Sequence, residues 1–294
     1  MLNYYITFLI NNAFILVIGM LGVYVITGLA GMFSMGQAAF MAVGGYTSAI
    51  LAKNFGLPIY LTLPCAVIVG MVIGAIIGIP VIRLRRDYVA LVTLGFSQAL
   101  VAFLNNAASI TGGALGLTNI PKYTNKPMIF IIFVLLVAMM WQLKKSRYGR
   151  MCIAIKGDEL AASSMGIDVA RVKLIVFVLA CAISALAGSL WVHTTSYLDS
   201  ASFGWDQSSL WIIMVYFGGV SSLTGSVFAG VLLTLLPEIF RFSAEYRTVI
   251  YCIIVLFIIN FRPQGLFGEN ELDFKTIRRL FGGNKTAAAQ KGDR

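Results

Sequence analysis

A chain of 294 residues that is 59% hydrophobic and only 12% charged lacks the polar surface that a water-soluble fold of this size requires. This composition excludes a cytosolic enzyme, a nucleic-acid-binding domain and a disordered protein. The formal net charge is +10, from 22 Lys and Arg against 12 Asp and Glu. In a membrane protein such an excess gathers on cytoplasmic loops, so nucleic acid is not needed to explain it.

Charge-free runs define the elements. Residues 1–52 carry no Asp, Glu, Lys or Arg, and further such runs cover 54–82, 88–121, 127–143, 174–198, 207–237 and 248–261. A bilayer-crossing helix needs about 20 mostly apolar residues. The runs therefore predict an all-α polytopic membrane protein with about nine spans (eight to ten). These lie at 5–27, 30–52, 59–82, 88–105, 127–143, 173–193, 206–220, 222–240 and 246–261. Segments 127–143 and 206–220 read as a short span and a re-entrant segment.

The loops set the direction. Arg83, Arg85 and Arg86 share one loop; Lys144, Lys145, Arg147, Arg150, Lys156, Arg171 and Lys173 share another; Arg262 and six further basic residues lie in the C-terminal tail. The opposite loops hold only Lys53, Lys122, Lys126, Arg241 and Arg247. The positive-inside tendency makes the first group cytoplasmic, with the N-terminus outside and the C-terminus inside. The N-terminus lacks the basic flank and cleavage site of a secretory signal and is expected to be retained. Residues 1–268 are expected to form one transmembrane domain with a cytoplasmic segment at 146–170, and 269–294 a polar cytoplasmic tail. Cys65, Cys181 and Cys252 fall in apolar spans and Cys152 on the reducing side, so no disulfide or metal framework is implied.

Ionisable residues inside spans normally mark proton or ion pathways and catalytic groups, and these spans hold almost none. His193, at the outer end of a span, reads as an interfacial hydrogen-bonding residue, and Glu238 as a solvated helix-end residue. No paired carboxylates, HExxH spacing or GxxxxGK phosphate loop occurs, so no catalytic or metal site is expected and no ATP binding by that route. Small and hydroxylated residues interrupt the apolar runs instead. GLAGMFSMGQ at 28–37 breaks the first run; TLGFSQ at 93–98 interrupts the fourth span; TGGALGL lies outside at 111–117; and GGVSSLTG breaks another run at 218–225. Small residues allow close helix packing, whereas freed backbone at membrane depth is tolerated only against protein or a water-filled cavity. The candidate pathway residues are Ser34, Gln37, Thr93, Ser97, Thr111 and Gly112.

The cytoplasmic stretch 146–168 is too polar to span. Gly149 reads as the residue that breaks the preceding turn, and Gly166 as the end of a helix. Between them Glu159, Ala161, Ala162 and Gly166 form an E-x-A-A-x-x-x-G pattern. This pattern resembles the coupling segment of ATP-binding-cassette importer permeases, and the rest resembles the LivM-type permeases of branched-chain amino acid importers. The matching pieces are 28–37, RLRRDYVALVTLGF at 83–96, TGGALGL at 111–117, the stretch from Gly149 to Ile167, residues 210–238, and RPQGL at 262–266. Their order and spacing cover roughly residues 15–268. Gln37 stands where His is common in that family.

The resemblance implies a type II importer-like helical fold and a pore-forming subunit that moves its substrate by alternating access. It implies a second homologous permease chain, two ATP-binding subunits that carry the ATP and Mg, and an extracytoplasmic substrate-binding protein, all at a bacterial inner membrane. Gly149, Arg150, Asp158, Glu159, Ala161, Ala162 and Gly166 are then the ATPase-coupling residues. The chain itself has no cofactor and is not an enzyme. The expected cargo is a branched-chain or other hydrophobic amino acid, with urea, amides or other small polar solutes as alternatives. An ion-coupled secondary transporter is the alternative of a different class, disfavoured by the charge-free spans.

Overall fold

The computed structural model describes residues 2–84 and 86–239, together with 252, 253, 255, 256, 265, 266 and 268. Most of the expected span at 246–261 and the whole tail at 269–294 lie outside the described residues. Helix α1 (Leu2–Val23) continues into a π-helical end (Tyr24–Leu29). Then come α2 (Gln37–Phe55), α3 (Ile59–Val81), α4 (Arg86–Asn106) and the short α5 (Ala108–Thr111). A second group comprises α6 (Lys126–Lys145), α7 (Arg147–Gly157), α8 (Glu159–Ser164) and α9 (Val169–Thr195), and α10 (Trp205–Gly218) and α11 (Leu223–Ile239) follow. Two-residue strands β1 (Leu117–Thr118) and β2 (Tyr197–Leu198) pair antiparallel, with Leu117 opposite Leu198.

Among the described residues, five helical stretches are long and apolar enough to cross a bilayer: Tyr5–Leu29, Ile59–Val81, Tyr88–Asn106, Lys126–Lys145 and Val169–Thr195. The segment expected to be a short span at 127–143 is thus a full-length helix. Helix α10, with 14 residues, is about 21 Å long at about 1.5 Å per residue, less than the hydrocarbon thickness. Two expectations are corrected. The second helix starts at Gln37, seven residues later than the run 30–52 indicated, because residues 30–36 are non-helical. The TLGFSQ stretch does not interrupt α4, which runs unbroken through it. There Thr93 folds its hydroxyl back onto Val89 O (2.8 Å), so its polarity is satisfied without leaving the helix.

Helix α9 is the axis of the bundle, packed by α1, α2 and α3. Lipid is as apolar as a leucine side chain, so burying apolar surface does not drive these helices together; close van der Waals packing does. The sequence supplies it with small residues at four-residue spacing. Ala66, Gly70, Gly74 and Gly78 are buried on one face of α3, while Ile68, Val72 and Ile76 on the other are exposed for lipid. A Cβ at Gly74 would lie 2.7 Å from that of Cys181, and one at Gly78 would lie 2.9 Å from Leu174 Cδ1. From α2, Gly44 lies against the backbone of Ala185, and Gly188 of α9 lies against the Met41 carbonyl. From α1, a Cβ at Gly22 would meet Ser184 Oγ at 2.5 Å and Ala180 O at 2.9 Å.

Towards the C-terminal end of α9 a buried polar chain locks it to α2. Ser189 donates to Ser48 Oγ (2.8 Å), Ser48 donates to His193 Nε2 (2.9 Å), and His193 Nδ1 donates to the Pro121 carbonyl (2.9 Å). A carbonyl only accepts, which fixes the proton on Nδ1. His193 makes the hydrogen bonds expected of it, but it is fully buried and not interfacial. Glu238 accepts from the Tyr5 hydroxyl (2.6 Å), joining the end of α11 to the start of α1.

The glycine contacts predict an asymmetry between two alanine substitutions. Gly188→Ala forces the α2–α9 crossing apart and is expected to cost about 1–3 kcal/mol and several degrees of Tm. Gly95→Ala, where a Cβ meets nothing within 4 Å, is expected to leave Tm unchanged or raise it. Thermal unfolding of the purified chain in detergent measures both; equal shifts would contradict the packing account.

Candidate functional site

The seven expected coupling residues lie on α7, α8 and the turns that flank them. Ser146 starts α7 by accepting from the Gly149 N–H (3.2 Å). Gly149 therefore sits inside the first turn of α7 and does not break it. The glycine is needed because a side chain there would run into the carbonyls of Leu143 and Lys144 at the end of α6. Arg150 donates from Nη1 to Lys145 O (2.9 Å), a cation on the carbonyl end of α6. The start of α7 is thus pinned to the end of α6.

Asp158 caps α8. Its carboxylate accepts from the amides of Leu160 (2.8 Å) and Ala161 (3.2 Å), and its own N–H bonds Ala154 O (3.1 Å). One residue therefore joins α7 to α8. Gly166 closes α8 as expected: with φ +82°, its N–H bonds Ser163 O (3.0 Å) while Ile167 N–H bonds Ala162 O (3.2 Å). These are the paired bonds of a Schellman end, which needs a residue tolerant of the left-handed region. Glu159 pairs with Lys173 of α9 at 2.7 Å; the lysine side chain is 5% exposed and the glutamate 35%.

The two alanines part company. Ala161 is exposed, but Ala162 is buried against the body of the protein, so only the first belongs to an outward surface. The apolar residues that do face outward are Leu160 at 79% and Met165 at 84% exposure. On α7, Gly149, Cys152 and Ile155 face inward, and burial pushes the Cys152 thiol up to about 11.

The expected pathway residues divide into two places. At the start of α2, Ser34, Gln37, Thr93 and Ser97 are all fully buried. Side chains of other helices take up backbone donors at this break: Met35 N–H donates to Thr93 Oγ1 (3.1 Å), and Ala38 N–H, in the first turn of α2, to Ser208 Oγ (3.0 Å). Gln37 Oε1 accepts from Ser184 (2.9 Å), while Gln37 Nε2 and Ser97 Oγ have no hydrogen-bond partner. Thr111 and Gly112 lie at the other end of the bundle. The Thr111 hydroxyl is turned inward onto Leu104 O (2.6 Å), and Gly112 lines a recess of about 240 Å³ with Lys53, Asn54, Ser109 and Ile110. Among the described residues no three His, Cys, Asp or Glu side chains come together as a metal site would need.

Sequence reasoning did not single out Lys173, Leu160, Met165, Ser184, Ser208 or Lys156. Lys156 bridges Gly28 O (2.9 Å) and Ser221 Oγ (3.1 Å). One signal was available: Gly149, Cys152 and Lys156 stand at i, i+3 and i+7 and share a helix face.

The model of the branched-chain amino acid transport system permease component family matches residues 5–259, most of the chain. The chain belongs to this family. It is 32% identical over 280 residues to the high-affinity branched-chain amino acid transport system permease protein LivM of Salmonella typhimurium, and 31% identical to LivM of Escherichia coli K12. Each alignment covers 84% of this chain and 66% of the relative, so the chain spans just under two thirds of those LivM proteins. The LivH permease protein of Escherichia coli K12 is 23% identical over 282 residues, covering 86% of this chain and 91% of LivH. No solved structure matches the chain. The relatives are permease components of transporters rather than enzymes, and family and helices together make the chain a multi-pass membrane protein.

The permease's α8 is held by its cap, which gives a test. Removing an N-cap carboxylate costs about 1 kcal/mol. In Asp158→Ala, amide exchange at Leu160 and Ala161 is expected to accelerate about fivefold relative to the unsubstituted chain, with α9 unchanged. Unaltered exchange at those two amides would contradict the capping.

Proposed function

We propose that this chain is the pore-forming subunit of an ATP-driven importer for branched-chain amino acids, working by alternating access. The observation that carries the reading is α8. It is a short capped helix within the family match, and it presents Leu160, Ala161 and Met165 outward beside a lysine- and arginine-rich stretch. Exposed apolar side chains on a polar cytoplasmic segment mark a protein-docking surface. The occupants would be two ATP-binding subunits, which hold the ATP and Mg that drive transport. The LivM and LivH relatives support a pair of homologous permeases, and an extracytoplasmic binding protein would deliver the amino acid. Some nine spans with a type II importer-like arrangement, the permease domain at 1–268, the tail at 269–294, and an inner-membrane setting with the N-terminus outside belong to the same reading. Ser34, Gln37, Thr93 and Ser97 are the polar groups that would meet the substrate at depth, and Thr111 and Gly112 would lie at its outer entrance.

Co-purification from native membranes tests the docking surface. The unsubstituted chain is expected to bring down ATPase subunits, and a Leu160→Arg, Ala161→Arg variant to lose at least about tenfold of them while retaining its thermal unfolding profile. Ala162 is left alone because it is buried. An unsubstituted chain that recovers no ATPase, or a variant that recovers as much as the unsubstituted chain, would contradict the proposal.

A further inference from the structure

The inner helices end on the cytoplasmic side around the turn between α10 and α11. Four segments touch it. Lys144, near the end of α6, donates to Ser221 O. Leu266 N–H donates to Phe217 O (2.8 Å). Gly28, in the π-helical end of α1, lies so close that a Cβ there would be 2.8 Å from Val220 O. Lys156 of α7 reaches Ser221 Oγ at 3.1 Å and at the same time donates to Gly28 O at 2.9 Å. The aliphatic stem of Lys156 lies across Gly31, where a Cβ would be 2.8 Å from Lys156 Cγ and the backbone has φ +67°.

The chemistry suits a tie rather than a filler. Gly28 O is among the last carbonyls of α1, which have no partner further along the helix and carry the negative end of its dipole, so an ammonium is favoured there. The Gly31 backbone has room for the lysine stem only because it carries no side chain. The position on α7 also matters. The start of α7 is fixed to the end of α6 by Ser146, Gly149 and Arg150, whereas its far end runs through Asp158 into α8. Lys156 stands two residues before that joint. Motion of α8 therefore turns α7 about its fixed start and moves Lys156. The segment it grips is π-helical, an arrangement that recurs at functional positions and differs from an α-helix by one residue per turn.

We propose that Lys156 is a positioning residue that transmits movement of the α7–α8 segment to the cytoplasmic ends of α1 and of the α10–α11 pair. The inference rests on α8 being the ATPase-facing helix, and it adds the route by which a displacement there reaches the transmembrane helices. Lys156 touches no substrate; it acts through Gly28 and Ser221.

The test uses the full complex with its co-purifying subunits in proteoliposomes, with radiolabelled leucine uptake and ATP hydrolysis measured separately. Lys156→Met keeps the stem over Gly31 and removes the ammonium. It is expected to keep assembly and basal hydrolysis while leucine moved per ATP falls about tenfold, as loss of charge-assisted hydrogen bonds implies. Lys156→Arg is expected to retain at least about half of the coupling, and Ser221→Ala, which keeps the lysine and removes one of its two acceptors, to lower leucine per ATP about threefold. A purely structural role would lower assembly, hydrolysis and uptake together. Unchanged leucine per ATP in Lys156→Met and Ser221→Ala overturns the proposal, and Ser221→Ala decides alone if Lys156→Met does not assemble. An unsubstituted complex without ATPase overturns the reading of α8 and this proposal with it. That result is distinct from an intact, coupled Lys156→Met complex, which overturns only the role of Lys156.

Discussion

Everything in this bundle depends on backbones approaching closely enough for dispersion to hold them, because the bilayer supplies no hydrophobic force between helices. The crossing of α2 on α9 is the tightest expression of this: Gly44 lies on Ala185 and Gly188 on Met41 O, with Gly45 close by. The same helix receives α3 through Gly70, Gly74 and Gly78, and α1 through Gly22. With three neighbours at near-contact distance, α9 is buried from Ala180 to Leu190 apart from Leu186, and it becomes the part that other elements move against. Two polar connections are built into this core. The Ser189–Ser48–His193–Pro121 chain and the Gln37–Ser184 pair both cross between helices.

The end of the bundle that carries α7 and α8 has a different construction. Its contacts are charged: Arg150 on Lys145 O, Glu159 on Lys173, and Lys156 on Gly28 and Ser221. Such contacts sit near water and yield more readily than the glycine-packed interior. A transporter needs this contrast, with a stiff bundle that re-orients and a jointed end through which a partner acts. The orphaned donors of Gln37 and Ser97 lie between the two regions, where the non-helical 30–36 segment enters α2.

Much of this was legible in the sequence because lipid constrains composition strongly. Charge-free runs marked the long helices, Gly166 announced its own left-handed helix end, and the order of glycine-rich pieces led to the family. Three features escaped for physical reasons. Thr93 and Ser97 looked like a break in α4 because hydroxyls and glycine lower helix propensity, yet a hydroxyl that bonds back to Val89 O costs the helix little. Ala161 and Ala162 looked alike, and only the helix rotation separates the exposed one from the buried one. Lys156 and Lys173 read as topological charge, since their partners Gly28, Ser221 and Glu159 are set by tertiary packing. His193 shows the same limit: its hydrogen bonding followed from its chemistry, but its burial followed from the loop carrying Pro121.

The central claim is that ATP hydrolysed by partners, and no ion gradient, drives a branched-chain amino acid through this bundle. The most direct measurement is leucine uptake into proteoliposomes holding the purified complex and its binding protein, with ATP supplied or withheld and with proton and sodium gradients imposed separately. The account predicts accumulation with ATP alone and none with either gradient alone. Gradient-driven accumulation without ATP would contradict it.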